Sequence, residues 1–244
     1  DIQIQVEPHL DKHGIAFTGA GAERVVPDEN HLVLRDGSRL DYDYLVIATG
    51  PRLAFDEVPG LGPAGHTHSI CTTAHATEAW AAYQAFLANP GPIVVGAAAG
   101  ASCFGPAYEF AMILDADLRK RRIRDRVPMT FVTSEPYIGH MGLGGVGDSK
   151  GLMESEMRQR HIKWIVNSKV AEVRDGEMTV VEHDAKGQPG ESHVLPFKFS
   201  MLLPAFKGVE PVAAVEGLCN PRGFVIVDKH QRSQKYPKIF AAGV

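Results

Sequence analysis

Apolar residues occur along the chain in short runs that glycine, proline and charged residues separate. Continuous runs predict strands buried on both faces of a parallel sheet, at residues 45–48, 93–95, 129–133 and 199–203. Other short runs predict further strands at residues 2–6, 15–17, 31–34, 162–166, 169–173, 178–181, 224–228 and 239–243. Asp36-Gly37 and Asp175-Gly176 are expected to form turns between neighbouring strands.

Helical spacing of apolar residues is found in three places. One helix, with Trp80 and Tyr83 on its apolar face, is predicted to end at Asn89-Pro90-Gly91, and another covers residues 150–160. The third carries the apolar residues of 108–114 and follows strand 93–95 across a loop of glycine and alanine. A strand, a small-residue loop and a helix form a nucleotide-binding β-turn-α unit, so the sequence predicts an α/β, Rossmann-like fold with a mixed sheet and a β-hairpin or meander insert.

The loop of this unit departs from the usual dinucleotide fingerprint. Gly96 and Gly100 are present, but Ala98 fills the second glycine position, and the segment Cys103-Phe104-Gly105-Pro106 lengthens the turn. A standard NAD domain would also have an acidic residue after its second strand to bind the adenosine ribose. Glu135 lies near that position. The pattern therefore indicates a nucleotide loop rebuilt around a thiol.

Composition and charge narrow the choice of function. The chain has 244 residues, of which 44% are hydrophobic and 22% charged, and this is typical of a globular protein with a sizeable core. A net charge of −4 argues against a nucleic-acid partner. The basic run at residues 119–126 favours a solvated helix end, with a contact to anionic lipid or a partner as the alternative. No apolar run is long enough to predict a membrane span.

The three cysteines have neither the even number of a disulfide scaffold nor the spacing of a zinc site, so no metal is predicted. Cys103 precedes a helix and follows a glycine loop, a position that favours the reactive thiolate. Cys219 is expected to be a small buried residue. Cys71 is open to either interpretation. Proline and glycine are frequent in residues 52–66, which indicates a linker between domains.

Several motifs together resemble one enzyme family. The pair YDYLVIATG and YPKIFAAG resembles the two-dinucleotide-domain flavoproteins of the pyridine nucleotide-disulphide oxidoreductase superfamily. Within that superfamily, the chain resembles sulfide:quinone oxidoreductase in SICTTAHA, GAAAGASCFGPAYEFA, TSEPYIGHMG and PAFKGV. The resemblance covers nearly the whole chain, and the cysteine-bearing motifs are its most specific part.

The resemblance implies an FAD enzyme that oxidises sulfide to polysulfur and reduces quinone. Residues 1–60 and 205–244 would belong to the FAD domain, and residues 61–204 to a degenerate second domain of the NAD type. The family's FAD loop would precede this chain, and its third redox cysteine and membrane-binding helices would follow it. The resemblance thus implies a soluble, inactive central piece of a protein peripheral to the prokaryotic plasma membrane, and it leaves a homo-oligomer open.

The resemblance also implies the site residues. Cys71 and Cys103 match the redox cysteines, and His75, His140 and Glu109 match groups that would handle protons. His75 would lie one helical turn from Cys71 if that segment is helical. The FAD contacts expected in this chain are Thr49, Gly50, Pro51, Lys207 and Gly243.

One departure and two alternatives remain. The superfamily motif usually ends in glycine-aspartate, whereas Val244 follows Gly243 here. A type II NADH:quinone oxidoreductase shares the expected fold but needs a working NAD loop, which Ala98 and the Cys103 segment argue against. A non-catalytic nucleotide-fold module with inert cysteines is the second alternative.

Overall fold

The computed structural model describes residues 3–244. It contains two compact units, one formed by the chain up to Arg52 together with 207–244, and the other by 53–206. The helices are α1 (Glu7–Asp11), α2 (Thr73–Ala88), α3 (Gly105–Lys120), α4 (Ser149–Gln159) and α5 (Glu210–Ala213). The strands are β1 (Ala22–Val26), β2 (His31–Leu34), β3 (Arg39–Asp41), β4 (Leu45–Ile47), β5 (Arg52–Ala54), β6 (Ile93–Ala97), β7 (Met129–Val132), β8 (Ile162–Ile165), β9 (Ser168–Arg174), β10 (Glu177–His183), β11 (Pro189–Pro196), β12 (Phe199–Leu203), β13 (Ala205–Lys207) and β14 (Ile239–Ala241).

The unit 53–206 is built on a parallel sheet with strand order β12-β6-β7-β8. Every residue of β6 and β12 is buried, as the continuous apolar runs predict. Helices α2 and α3 pack against these strands, and α2 buries Tyr83 and Phe86. Trp80, which the sequence places on the same apolar face, is instead 59% exposed. The predicted α/β, Rossmann-like fold is confirmed, and all four strands of this sheet are parallel.

Two glycines in this unit are fixed by close backbone contacts. A Cβ on Gly96 in β6 would lie 1.9 Å from the carbonyl oxygen of Val132 on β7, so only glycine allows these strands to approach. A Cβ on Gly60 would similarly lie 2.0 Å from the carbonyl oxygen of Val173. The segment 52–66 is therefore not a free connection, because it packs against β9 and buries Leu61.

A three-stranded antiparallel meander of β9, β10 and β11 follows the fourth parallel strand. The turn at Asp175-Gly176 joins β9 to β10, and Gly176 has a φ of +74°. The meander insert is thus confirmed, although the pattern of apolar residues does not predict β11. That strand is mostly exposed, so it lacks the apolar run that identifies a buried strand.

The basic run at 119–126 is not simply a solvated helix end. Arg124 is 8% exposed, and its Nε donates to Oδ1 of Asp115 at 2.6 Å. Asp115 Oδ2 also accepts a hydrogen bond from Arg119 Nε at 2.8 Å. Since Asp115 is 2% exposed, this part of the basic run neutralises a buried carboxylate and is used for folding.

The other unit contains an antiparallel sheet of β1, β2 and β3 and a parallel pair of β4 with β14. The predicted Asp36-Gly37 hairpin lies between β2 and β3. Three other strand predictions are wrong: residues 4–6 and 15–17 form no strand, and 224–228 forms isolated bridges. Ile2 lies outside the described residues. Strand β4 is not buried on both faces, since Val46 is 64% exposed.

Within residues 3–244, none of the helices has the length and hydropathy needed to cross a bilayer.

Candidate functional site

Cys71 lies just before α2, which begins at Thr73. The helix is capped by Thr72, whose side chain accepts a hydrogen bond from the backbone N–H of His75 at 3.1 Å. Cys71 therefore precedes the helix, and its connection to His75 does not run along a helical turn. The connection is made by Ser69, whose Oγ accepts from the Cys71 N–H at 3.2 Å and lies 3.3 Å from His75 Nδ1.

The environment of Cys71 changes its acidity. Burial raises the pKa of the Cys71 thiol, and a negative charge on Cys103 raises it further, while a hydrogen bond from Ser69 lowers it. The two cysteines predicted to react together lie in the same unit, 53–206. Both are free thiols, Cys71 half-buried and Cys103 exposed.

Cys103 lies in the turn that leads into α3. Phe104 caps the helix with its backbone and is buried, whereas Cys103 and Gly105 on either side are exposed. A Cβ on Gly105 would meet no atom within 4 Å. Cys103 is therefore exposed at this turn, next to the buried Phe104, where a small molecule can approach its thiol.

The glycine-rich loop 137–147, which carries His140, lies against this same turn. A Cβ on Gly142 would be 3.4 Å from the ring of Phe104, and Met141 packs on the hydrophobic core that contains Phe104 and contacts Cys71. Since Ile138 is part of that core, the loop is held on both sides of His140. The loop of His140 therefore lies against the turn of Cys103 at the start of α3, and Cys71 packs against the same hydrophobic core.

Glu135 holds this loop from within. Its Oε1 accepts from the backbone N–H of Met141 at 2.5 Å, and its Oε2 accepts from the hydroxyls of Tyr108 and Thr133 at 2.7 and 2.8 Å. The Tyr108 oxygen in turn accepts from the N–H of Gly139 at 3.0 Å. Burial is the main cause that raises the pKa of the Tyr108 hydroxyl, so it remains a donor.

The network contradicts the interpretation of Glu135 as a ribose-binding acid. The side chain is 2% exposed and its acceptor positions are used by three donors of the protein. An acid that binds a ribose must present a free oxygen at the surface. Glu135 follows β7, where a ribose-binding acid is expected, but its carboxylate holds the loop 137–147 by hydrogen bonds.

Glu109, the third candidate for proton transfer, does not lie among the buried residues of the candidate site. It lies on the exposed side of α3, one residue beyond the buried Tyr108.

In the unit formed by residues up to 52 and from 207, the predicted cofactor contacts Thr49, Gly50 and Gly243 line one cavity of about 110 Å³. They come together because β4 and β14 are parallel neighbours whose carboxyl ends meet. Gly50 and Gly243 have φ values of +68° and +92°. A Cβ on either would meet no atom within 4 Å, so the backbone is open to a ligand there.

Lys207 and Pro51 do not line that cavity. Lys207 ends β13 and lines an adjacent groove with Arg52 and Arg222, while its neighbour Gly208 borders the cavity itself. Pro51 follows Gly50 directly. Their positions are beside the candidate cofactor site.

Comparison with known proteins identifies the family. The model of the pyridine nucleotide-disulphide oxidoreductase family matches residues 3–243. The chain belongs to this family. It is 44% identical over its whole length to the sulfide-quinone reductase of Aquifex aeolicus, of which it covers 55%. It is 25% identical to the mitochondrial sulfide:quinone oxidoreductase of Mus musculus, over 89% of this chain and 47% of that protein.

The structure gives the same result. The crystal structure of the sulfide:quinone oxidoreductase from Aquifex aeolicus superposes with a TM-score of 0.91 over 98% of this chain and 55% of that one. The chain thus spans about half the length of the curated relatives it matches.

The pyridine nucleotide-disulphide oxidoreductases are FAD-binding flavoproteins. The cavity beside Thr49 and Gly50 fits one part of such a cofactor, since its glycines leave the backbone uncovered and valines supply an apolar wall. At about 110 Å³ it is smaller than the roughly 300–1,000 Å³ of a complete small-molecule site. A cavity of this size can hold one part of such a cofactor and not the whole molecule.

We expect Glu135→Gln to loosen the loop 137–147, because the amide brings a donor to a position surrounded by donors. A buried group left without its hydrogen bond costs about 1–3 kcal/mol. Hydrogen exchange followed by mass spectrometry should show faster exchange at Gly139 and Met141. Glu109→Gln, an exposed change next to Tyr108 on the same helix, is the matched control and should leave both amides unchanged. Equal protection in wild type and Glu135→Gln would contradict this role.

Three residues that organise the site are not predicted from the sequence: Ser69, Tyr108 and Glu135 in its loop-fastening role. Ser69 lies inside the motif SICTTAHA, two residues before the cysteine, and a hydroxyl so close to a reactive thiol is the signal that could have identified it. The contacts of Tyr108 with Glu135 join residues 27 positions apart, and no local pattern reveals them.

Proposed function

We propose that the complete protein that contains this chain is an FAD-dependent sulfide:quinone oxidoreductase, which oxidises sulfide to polysulfur and transfers the electrons to quinone. The observation that carries the proposal is that Cys103 is a free, exposed thiol at the start of α3, with the His140 loop against its turn and the free thiol of Cys71 in the same unit. The identity of 44% to a sulfide-quinone reductase along the whole chain supports it.

The two cysteines supply the sulfur chemistry in this proposal. Attack of HS⁻ on a sulfur–sulfur bond between Cys71 and Cys103 leaves a persulfide on one cysteine and a thiolate on the other. When the pair closes again around the added sulfur, one proton and two electrons are released. FAD, when bound, accepts two electrons and delivers them to quinone. The exposed Cys103 is the sulfur that sulfide reaches most easily.

The neighbouring titratable groups move the protons. His75 accepts the proton released at Cys71 by way of the Ser69 hydroxyl, which lies within hydrogen-bond distance of His75 Nδ1. His140 serves the Cys103 side, because its loop contacts Phe104. Glu109, exposed on α3, exchanges protons with solvent.

The cofactor contacts complete the proposal. Thr49, Gly50 and Gly243 hold part of FAD at the ends of β4 and β14, with Pro51 shaping the exit of the first strand. Lys207 places a cation beside the same site, where it stabilises developing negative charge. Quinone is lipid-soluble, so we place the complete protein at the surface of the prokaryotic plasma membrane and leave its assembly into a homo-oligomer to experiment.

The donor preference of the complete, FAD-loaded protein tests this function. Quinone reduction should occur with sulfide and should be absent with NADH. Reduction with NADH alone would indicate a type II NADH:quinone oxidoreductase and overturn the proposal, as would the absence of turnover with either donor, the result expected of a non-catalytic module. Glu135 accepts hydrogen bonds from groups of the protein itself and is not free to bind the ribose of NADH. We therefore expect quinone reduction with sulfide and none with NADH.

A further inference from the structure

Ser69 is completely buried, and its hydroxyl lies between the two groups that a proton must connect. Its Oγ is 3.2 Å from the backbone nitrogen of Cys71 and 3.3 Å from Nδ1 of His75. A serine hydroxyl has one hydrogen to donate and two acceptor positions. The Cys71 N–H uses one acceptor position. Ser69 also forms a hydrogen bond with the Cys71 side chain that lowers the pKa of the thiol, so the hydroxyl hydrogen can turn to the Cys71 sulfur or to His75 Nδ1.

The fold holds this hydroxyl from both sides. The preceding residue, His68, donates its N–H to the carbonyl of Ser200 at 2.7 Å and accepts from the N–H of Leu202 at 3.2 Å. These bonds attach the segment to β12 like a short additional strand. On the other side, Thr72 caps α2 and sets the direction of the helix that carries His75. Ser69 therefore has little freedom to turn away from either group.

We propose that Ser69 is a positioning residue that couples the protonation of His75 to that of the Cys71 thiol. With a proton on Nδ1, His75 donates to Ser69 Oγ, and the hydroxyl hydrogen then points to the sulfur and stabilises the thiolate. Without that proton, Nδ1 accepts the hydroxyl hydrogen, and the sulfur loses its donor. The coupling needs no movement of the backbone, because only the hydroxyl rotates.

The groups around Cys71 and His75 act on this coupling in different ways. Cys103 from the turn before α3 acts on Cys71 with the opposite sign, since its negative charge disfavours a second thiolate. Phe55 meets the ring of His75 edge-on, with 5.9 Å between ring centroids, and contributes no charge. His68 lies on the preceding segment, where burial lowers its pKa and Glu78 opposes that effect. It is therefore mostly neutral at pH 7.

The proposal deepens the proposed function and rests on it for its meaning, but its test needs no turnover. The reduced, complete protein is treated with iodoacetamide over a range of pH, and the alkylation of Cys71 and Cys103 is measured separately by peptide mass spectrometry. We expect Ser69→Ala to slow the alkylation of Cys71 about tenfold at pH 7 and to shift its midpoint to higher pH, because the thiolate loses a hydrogen-bond donor. The reactivity of Cys103 serves as the internal control.

A double-variant cycle then separates coupling from a general structural effect. Ser69→Ala and His75→Ala only remove atoms, so both variants and their combination are suited to folding. If Ser69 carries the coupling, His75→Ala changes the alkylation rate of Cys71 and its pH dependence in the wild-type background and has no further effect in Ser69→Ala. An equal effect of His75→Ala in both backgrounds, an unchanged Cys71, or an equal slowing of Cys103 would overturn the proposal. Loss of sulfide turnover in the wild type with the coupling intact would instead count against the proposed function alone.

Discussion

Replacement of Cys103 by alanine in the complete protein is expected to lower sulfide-dependent quinone reduction by more than about a thousandfold, because removal of a group that forms the covalent intermediate leaves little of its catalysis. FAD should stay bound, since the cofactor contacts predicted in this chain belong to the other unit. The measurement is the rate of quinone reduction with sulfide, together with the flavin absorbance per protein molecule. Cys103 is exposed and Gly105 beside it has open space above it, so the substitution should not disturb the fold.

Cys219→Ala is the matched control for that experiment. Cys219 lies in the unit that contains Thr49 and Gly243, where its Sγ donates to the carbonyl of Val212 at 3.4 Å. Burial raises the pKa of its thiol, which favours the unreactive protonated form. Turnover close to wild type is expected for this variant. Sulfide-dependent turnover retained in Cys103→Ala would contradict the assignment of the redox pair.

The parallel sheet could be predicted because its strands are buried on both faces and have a continuous apolar sequence. Residues 93–95, 129–133 and 199–203 correspond to β6, β7 and β12. The same reasoning fails where a paired strand is exposed, or where an apolar segment is not paired as a regular strand. The exposed β11 shows no apolar run, and the apolar residues 224–227 form only isolated bridges.

The sequence predicts the candidate reactive residues of the site. It does not predict the residues that hold them in place by hydrogen bonds. Cys71, Cys103 and His140 lie in motifs that local sequence identifies, and the structure places the His140 loop against the turn that carries Cys103. Ser69 and Glu135 act through hydrogen bonds that depend on how distant segments pack. Glu135 is the clearer case, because the expected residue is at the expected position and its carboxylate points into the protein.

A mutation near the C-terminal end of α3 should strongly lower the stability of the fold. We expect Asp115→Asn to lower the free energy of unfolding by about 3–5 kcal/mol, because it leaves a buried guanidinium without its counter-charge. The Arg124 side chain is 9% exposed, and besides Asp115 it donates to the carbonyl oxygens of Val127 at 2.5 Å and Arg160 at 2.7 Å. These carbonyls precede β7 and β8, so the ion pair fixes α3 to the entry of two parallel strands.

Urea unfolding of the chain, followed by tryptophan fluorescence, measures this effect, because Trp80 and Trp164 both lie in the unit 53–206. Glu154→Gln is the matched control, since it removes an exposed i,i+4 ion pair with Arg158, with N···O at 3.4 Å, and such pairs contribute about 0.3–0.5 kcal/mol. Equal small losses in both variants would contradict this role of the ion pair between Asp115 and Arg124. A large loss confined to Asp115→Asn would mean that α3, whose first turn follows Cys103, is held in register by a buried ion pair at its far end.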